Sequence, residues 1–172
     1  MTDSGRISRF FVPDPLVVEV GVGELVLAEH PRRLMTPALG SCVGVAIWDS
    51  SAHRGGLAHV MLPVPTTSAA AGTTGRFAST AVPELVAMLV ESGSLRRRLH
   101  AKIAGGAAMF RGEATIAHIG ERNVAEAKRQ LSLMSVPLVA EDTGETHART
   151  IELSLDTGVL LVRSYRFGDK EL

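Results

Sequence analysis

Cysteine and aromatic residues are scarce in this chain of 172 residues. It has one cysteine, one tryptophan and one tyrosine, and aromatic residues make up 4% of the total. A single cysteine cannot form an internal disulfide, which excludes a small secreted scaffold held together by such bonds. We therefore expect the protein to work in a reducing compartment, of which the cytoplasm is the simplest.

An excess of one charge and long apolar runs are also lacking. Lys and Arg number 18, as do Asp and Glu, and the one basic cluster, at 96–98, is too short for a polyelectrolyte contact. No apolar run at the N-terminus is long enough for a signal peptide or a transmembrane helix. The composition therefore indicates no nucleic-acid partner, no membrane insertion and an ordinary globular protein.

The length fits one compact domain with a sizeable core. We expect a mobile leader at residues 1–15, a single domain at 16–166 and a C-terminal tail at 167–172. Residues 63–75 are rich in Thr, Ser, Ala and Gly. Because this composition has little to bury, we expect an exposed loop there.

Apolar runs bounded by turn residues predict strands, and two amphipathic segments predict helices. The first helix contains Val82 and Leu89, with Thr80 as its N-cap and Gly93 as its stop, and the second runs from Glu121 to about Met134. The predicted strands are Leu16 to Val20, Glu24 to Ala28, Val43 to Trp48, Gly56 to Leu62, Ala101 to Ala107 and a C-terminal hairpin, Ile151 to Val162. Since helices and strands do not alternate strictly, this order favours an α+β layered sandwich with mixed or antiparallel sheets and two main helices.

The single cysteine, Cys42, stands in a glycine-bracketed turn, and His59 follows 17 residues later. A short turn joins the two strands that carry them, so we expect the thiol and the imidazole to lie near each other. A thiolate is the attacking species in cysteine chemistry, and a nearby imidazolium is one way to lower the thiol pKa. These residues therefore suggest a cysteine nucleophile, although a lone cysteine is also commonly a small buried hydrophobe.

Flanking residues suggest the rest of such a site. Thr36 can accept the second ring N–H of His59 and fix its tautomer, or can simply be a strand threonine. Glycines near the thiol let backbone N–H groups approach a substrate carbonyl, as an oxyanion hole requires. We assign the oxyanion and substrate-binding positions to Gly40, Ser41, Gly105 and Gly106.

Other chemistries find less support in the sequence. The six histidines show neither cysteine partners nor HExxH spacing, so we expect no metal. The glycine pairs lack the pattern of a phosphate-binding loop, so we expect no nucleotide cofactor. Ser41 is not in the GxSxG elbow that a serine hydrolase of that type needs.

Five sequence blocks together resemble the chemoreceptor glutamine deamidase family, CheD. Their order along the chain is the same as in that family, and the resemblance extends from about Val20 to Val162. The blocks are Thr36 to Cys42, Gly56 to Pro63, Lys102 to Phe110, Ile119 to Val124 and the turn Asp156 to Gly158.

The resemblance implies a papain-like triad of Cys42, His59 and Thr36 on a fold similar to the catalytic domain of cytotoxic necrotizing factor toxins. It implies hydrolysis of a glutamine side-chain amide in a methyl-accepting chemoreceptor through a thioester on Cys42, with release of ammonia. It also implies a CheC-type phosphatase as a partner. Two alternatives stay open: a non-catalytic chemotaxis adaptor that binds receptor or phosphatase, and a small-molecule amidase.

Three segments depart from the family pattern. Phe77 stands where the family usually has tyrosine, the loop at 63–75 is rich in Ala and Thr, and residues 145–148 replace a more glycine-rich stretch before Arg149. These departures bear on substrate recognition more than on the chemistry.

Overall fold

A computed structural model describes residues 14–67, 74–109 and 118–172. Within these residues the chain forms ten strands and two α-helices, with short 3-10 turns at Thr74–Arg76 and Arg96–Arg98. The elements, in chain order, are β1 (Val17–Glu19), β2 (Leu25–Glu29), β3 (Arg33–Leu39), β4 (Val43–Asp49), β5 (Arg54–Val60), α1 (Ala78–Glu91), β6 (Leu99–Gly105), α2 (Ile119–Leu133), β7 (Leu138–Thr143), β8 (Arg149–Ser154), β9 (Leu160–Ser164) and β10 (Gly168–Glu171).

The strands form two five-stranded sheets, which we call sheet A and sheet B. Sheet A has the order β1-β3-β8-β9-β10, and sheet B has the order β2-β5-β4-β6-β7. The pairs β1–β3 and β6–β7 are parallel and the other pairs are antiparallel. Both sheets are therefore mixed, as predicted.

Two hydrophobic cores separate three layers. One face of sheet B packs against α1 and α2 through a helix-side core that includes Val45, Ile47, Leu85 and Leu131. The other face of sheet B packs against sheet A, and this contact forms the inter-sheet core, whose members include Leu34, Ala46, Leu57, Ala104, Ile151 and Leu153. This arrangement confirms the predicted α+β layered class with two main helices.

The burial of each strand follows from its layer. All but one of the seven residues of β4 are buried, because helices cover one of its faces and sheet A covers the other. In β8, buried and partly buried residues alternate, because only one face of sheet A is covered. Sheet B therefore shows continuous apolar runs, whereas the C-terminal hairpin shows the alternation from which it was predicted.

Most of the predicted elements are confirmed. The β4–β5 hairpin, β6, the β8–β9 hairpin and α2 all fall where the sequence indicates them. The strands expected at Leu16 to Val20 and Glu24 to Ala28 are β1 and β2, but they belong to different sheets.

The predicted start of the first helix is wrong. Helix α1 begins at Ala78, and its N-cap is Phe77, which makes no side-chain cap hydrogen bond. Thr80 lies inside the helix, and its hydroxyl donates to the Phe77 carbonyl at 3.2 Å. Pro83 therefore sits one turn deeper in the helix than a start at Thr80 would have put it.

The C-terminal end of the chain differs from the predicted boundary. Residues 168–171 form β10, which pairs with β9, so most of the predicted tail at 167–172 is part of sheet A. Of the predicted leader, residues 1–13 lie outside the described residues, and the carboxylate of Asp14 pairs with Arg33. Residues 68–73 of the predicted loop at 63–75 also lie outside the described residues.

We expect Gly158→Ala to destabilise the protein more than Gly168→Ala does. Both glycines have a positive φ, 73° and 75°, in which an alanine costs about 1 to 2 kcal/mol. At Gly158 a Cβ would also overlap the indole of Trp48, whereas at Gly168 it would meet nothing within 4 Å. Overpacking of this kind costs about 1 to 3 kcal/mol more.

Urea unfolding followed by the fluorescence of Trp48, the single tryptophan, measures both variants against the wild type. Equal losses of unfolding free energy in the two variants would show that the indole moves aside without cost.

Candidate active site

A buried hydrogen bond between Thr36 and His59 joins the two sheets. Thr36 lies on β3 of sheet A and His59 on β5 of sheet B, and Oγ1 of the threonine is 2.7 Å from Nδ1 of the histidine. Both side chains are shielded from solvent, with exposures of 0% and 1%. The contact that the sequence predicts between these residues is therefore present.

The partners of Thr36 determine which tautomer of His59 is favoured. The hydroxyl of Thr36 donates its one hydrogen to the carbonyl of Val20 at 2.6 Å. Its oxygen is then left to accept a hydrogen bond from Nδ1 of His59, which must be protonated. Nε2 of the neutral ring therefore carries the lone pair, and it has no hydrogen-bond partner among the described residues.

Cys42 lies in the connection between β3 and β4, at the edge of the inter-sheet core. His59 pairs with Gly44 in the β4–β5 register. Cys42 stands two residues before Gly44, just outside β4, so it lies at the same end of the β4–β5 hairpin as His59. Within the described residues no hydrogen bond joins the thiol to Nε2 of His59.

Burial keeps both groups neutral in this structure. It raises the pKa of the half-buried Cys42 thiol, and the cysteine's own backbone N–H opposes this only in part. Burial also lowers the pKa of His59. Both directions favour a neutral thiol and a neutral imidazole over the thiolate–imidazolium pair expected from the sequence.

The diglycine at the end of β6 packs against the Cys42 segment. The N–H of Gly106 donates to the carbonyl of Cys42 and the N–H of Ala107 donates to that of Gly40, both at 2.8 Å. Gly105 has a φ of 109°, and a Cβ there would overlap the Cys42 carbonyl. The pair thus allows a close backbone approach that residues with side chains would block.

These contacts correct one of the predicted oxyanion donors. The N–H of Gly106 is occupied by the Cys42 carbonyl, so it is not free to stabilise an oxyanion. The N–H groups of Gly40 and Ser41 have no recorded acceptor among the described residues and stay the predicted donors.

The segment at 143–147 packs against the diglycine, Gly105–Gly106, through backbone hydrogen bonds. The N–H of Gly144 donates to the Gly105 carbonyl at 2.9 Å, and that of Ala108 donates to the Glu145 carbonyl at 2.8 Å. The buried guanidinium of Arg149 holds this segment by donating to Asp142 and to the Gly144 carbonyl. One of the departures from the family pattern, at 145–148, therefore adjoins the candidate site.

Residues 14–67, 74–109 and 118–172 contain neither a metal-ligand cluster nor a membrane-spanning helix. In these ranges no group of three or more His, Cys, Asp or Glu residues is arranged to hold a metal ion. No helix in the same ranges has the length and apolar character needed to cross a membrane.

The fold and the candidate site define a class of layered α+β domains in which a buried threonine–histidine hydrogen bond joins two packed sheets and a cysteine precedes a central strand. Residues 61–164 match the family described as CheD chemotactic sensory transduction. The chain belongs to the CheD family.

Curated relatives are similar over nearly the whole chain. A probable chemoreceptor glutamine deamidase CheD of Moorella thermoacetica is 43% identical over 153 residues, which cover 87% of this chain and 92% of the relative. The chemoreceptor glutamine deamidase CheD of Bacillus subtilis is 39% identical over 162 residues, which cover 92% of this chain and 98% of the relative.

Among solved structures, the Bacillus licheniformis hypothetical protein YfiH matches with a TM-score of 0.49 and 11% identity, over 76% of this chain and 60% of that one. This score is too low to support a conclusion. The similarity to the cytotoxic necrotizing factor fold stays a prediction.

Two contacts at the site were not predicted from the sequence. The carbonyl of Val20 fixes the hydroxyl of Thr36, and a backbone carbonyl has no side-chain signature that a pattern can reveal. Asn123 stands in a block that matches the family, yet nothing in the block itself assigns it a role.

We expect Cys42 to react slowly with iodoacetamide at neutral pH. Alkylation follows the thiolate fraction, and burial raises the thiol pKa, so the midpoint should lie above the ordinary thiol value of about 8.5. Because Cys42 is the single cysteine, the rate reports this residue alone. The urea-unfolded protein is the control, and a folded-state midpoint below that of the control would reveal a resting thiolate–imidazolium pair.

We expect Thr36→Val to remove the tautomer preference of His59, because valine has the shape of threonine but cannot accept the Nδ1–H. Unfolding free energy should fall by about 1 to 3 kcal/mol, the cost of an unsatisfied buried polar group. Thr36→Ser keeps the hydroxyl and should keep the preference. Long-range proton–nitrogen NMR reads the tautomer, with His59→Asn assigning the resonances; an unchanged Nδ1–H in Thr36→Val would contradict this account.

Proposed function

We propose that this protein hydrolyses glutamine side-chain amides in methyl-accepting chemoreceptors to glutamate, with Cys42 as the nucleophile. The observation that carries the proposal is the Val20–Thr36–His59 arrangement, which leaves an unprotonated Nε2 at the end of the β4–β5 hairpin where Cys42 lies. The names of the curated relatives support the substrate class.

The first half of the proposed reaction forms a thioester. Nε2 of His59 takes the proton of Cys42 as the sulfur attacks the amide carbon of the glutamine side chain. The negative charge that develops on the amide oxygen is stabilised by the N–H groups of Gly40 and Ser41. The imidazolium then gives its proton to the leaving nitrogen, and ammonia departs.

The second half releases the product. A water molecule gives a proton to Nε2 and attacks the thioester carbon, and the same N–H groups stabilise the second oxyanion. The carbon–sulfur bond breaks, the proton returns from His59 to the sulfur, and the side chain leaves as glutamate. Amide and water are consumed, and a carboxylic acid and ammonia are produced, which exchange a proton in water to give carboxylate and ammonium.

The neutral resting pair suits this cycle. Because both groups lack charge before substrate binds, the proton moves only when the carbonyl carbon is in reach. A thiol that is not ionised at rest is also less exposed to oxidation in the reducing cytoplasm where we propose that the protein works.

Each of the two alternatives makes a distinct prediction. A non-catalytic adaptor would bind receptor or a CheC-type phosphatase without needing the thiol. A small-molecule amidase would release ammonia from free glutamine as readily as from protein. The half-buried position of Cys42, beside a segment that departs from the family pattern, bears on which substrates fit and does not separate these alternatives.

The proposal is tested by incubating the protein with a chemoreceptor cytoplasmic fragment from the same organism and scoring glutamine-to-glutamate conversion by mass spectrometry. We expect conversion by the wild type and none by Cys42→Ala. His59→Asn should lower the rate by about 10²- to 10⁴-fold, the usual contribution of general acid–base catalysis.

His53→Asn is the matched control, because His53 lies in the turn at the opposite end of the β4–β5 hairpin. It should leave the rate unchanged. Equal conversion by wild type and Cys42→Ala would overturn the nucleophile, and binding without conversion by either would favour the adaptor. Comparable turnover of free glutamine would favour the small-molecule amidase.

A further inference from the structure

Asn123 of α2 is the one residue of that helix whose side chain reaches both segments of the candidate site, within the contacts recorded for the described residues. It is completely buried. Its Nδ2 donates to the carbonyl of Ser41 at 2.9 Å and to the carbonyl of Met61 at 2.9 Å. Ser41 immediately precedes Cys42, and Met61 is two residues after His59.

The chemistry of the two acceptors requires an amide at this position. Both are backbone carbonyls, which only accept hydrogen bonds, so the –NH₂ group must face them and the orientation of the amide is settled. Aspartate has no donor when it is ionised, and serine or threonine has one. Asparagine supplies two donors from a single atom on a short side chain.

We propose that Asn123 is a positioning residue that holds the Ser41 and Met61 carbonyls and thereby sets the relative placement of the Cys42 sulfur and Nε2 of His59. The inference rests on the proposed function for its effect on turnover. Its effect on Cys42 itself is independent of any substrate.

Peptide geometry passes the constraint from Ser41 to the thiol. The carbonyl of Ser41 and the N–H of Cys42 belong to one planar peptide unit, so holding the carbonyl also fixes the direction of that N–H. The N–H of Cys42 interacts with the cysteine's own sulfur and opposes the effect of burial on the thiol pKa. Loss of the Asn123 contact would therefore change the reactivity of Cys42 as well as its position.

The start of α2 gives Asn123 a rigid base. At Gly120 an added Cβ would come within 2.5 Å of the Gly106 carbonyl oxygen and within 2.7 Å of that of Ala107. The helix thus packs tightly on the diglycine, which in turn donates to the Cys42 carbonyl. Helix, diglycine and Cys42 segment form one connected unit.

The amide of Asn123 has opposing effects on stability. Its Oδ1 is buried and has no hydrogen-bond partner among the described residues, and a buried unsatisfied oxygen is destabilising. An apolar side chain of similar size would avoid that loss, but it would take the donor away from the Ser41 and Met61 carbonyls. The two carbonyls beside the candidate site are therefore what the amide serves.

The test compares Asn123→Leu and Asn123→Asp with Gln130→Leu. Gln130 is a buried amide two turns further along the same helix, and it donates to Glu126 rather than to the site. Urea unfolding shows whether each variant is folded. Receptor-fragment deamidation then gives kcat and KM, and iodoacetamide alkylation against pH gives the reactivity of Cys42.

We expect Asn123→Leu to lower kcat at least about tenfold, toward the hundredfold that a displacement of 1 Å can cost, with little change in KM. Its alkylation midpoint should shift away from that of the wild type. Gln130→Leu should match the wild type in both measurements. An unchanged alkylation profile in folded Asn123→Leu would overturn the inference, even if no deamidation is found in the wild type.

Asn123→Asp keeps the proposal testable if the leucine variant does not fold. An ionised aspartate would oppose both carbonyls, whereas a protonated one can donate to one of them. At each pH, the kcat and the unfolding free energy of Asn123→Asp are divided by the wild-type values. Both ratios should therefore rise as the pH falls. Ratios that do not depend on pH would overturn the role of the two donated hydrogen bonds.

Discussion

The hydrogen bond between Thr36 and His59 is the constraint on which the rest of the candidate site depends. It crosses from sheet A to sheet B inside the inter-sheet core, where neither side chain can exchange its partner for water. The Val20 carbonyl takes the threonine hydrogen, so the threonine oxygen accepts from Nδ1 of His59. The packing of two sheets therefore determines that Nε2 is the nitrogen left without a partner among the described residues.

Hydrogen bonds to its backbone carbonyls hold the Cys42 segment from two sides. From β6 the diglycine donates to the carbonyls of Cys42 and Gly40, and from α2 Asn123 donates to the carbonyl of Ser41. Consecutive carbonyls at 40, 41 and 42 are thus all engaged. The geometry of the thiol therefore depends on main-chain hydrogen bonds to three consecutive residues more than on the packing of its own short side chain.

The sequence predicts the parts of this structure that depend on local pattern. The β4–β5 and β8–β9 hairpins follow from apolar or alternating runs joined by short turns, and the cysteine, histidine and threonine follow from the blocks around them. Strand β3 is obscured because Pro37 and the positive φ of Ala38 interrupt it with a register shift. Strand β10 is obscured because all four of its residues are exposed and none is apolar. The contacts of Val20 and Asn123 depend on tertiary packing, which no local pattern encodes.

Thr36, the third residue of the proposed catalytic triad, carries no charge, and this affects the proposed chemistry. When Nε2 takes the thiol proton, the new imidazolium is supported at Nδ1 by a hydroxyl oxygen rather than by a carboxylate, and burial already lowers the pKa of His59. The charged ring is therefore a better proton donor to the leaving nitrogen than an ordinary imidazolium is. The same property limits how long the thiolate lives without substrate, since the proton returns to sulfur. In this view, the choice of threonine over aspartate favours fast protonation of the leaving nitrogen at the expense of a permanently activated nucleophile.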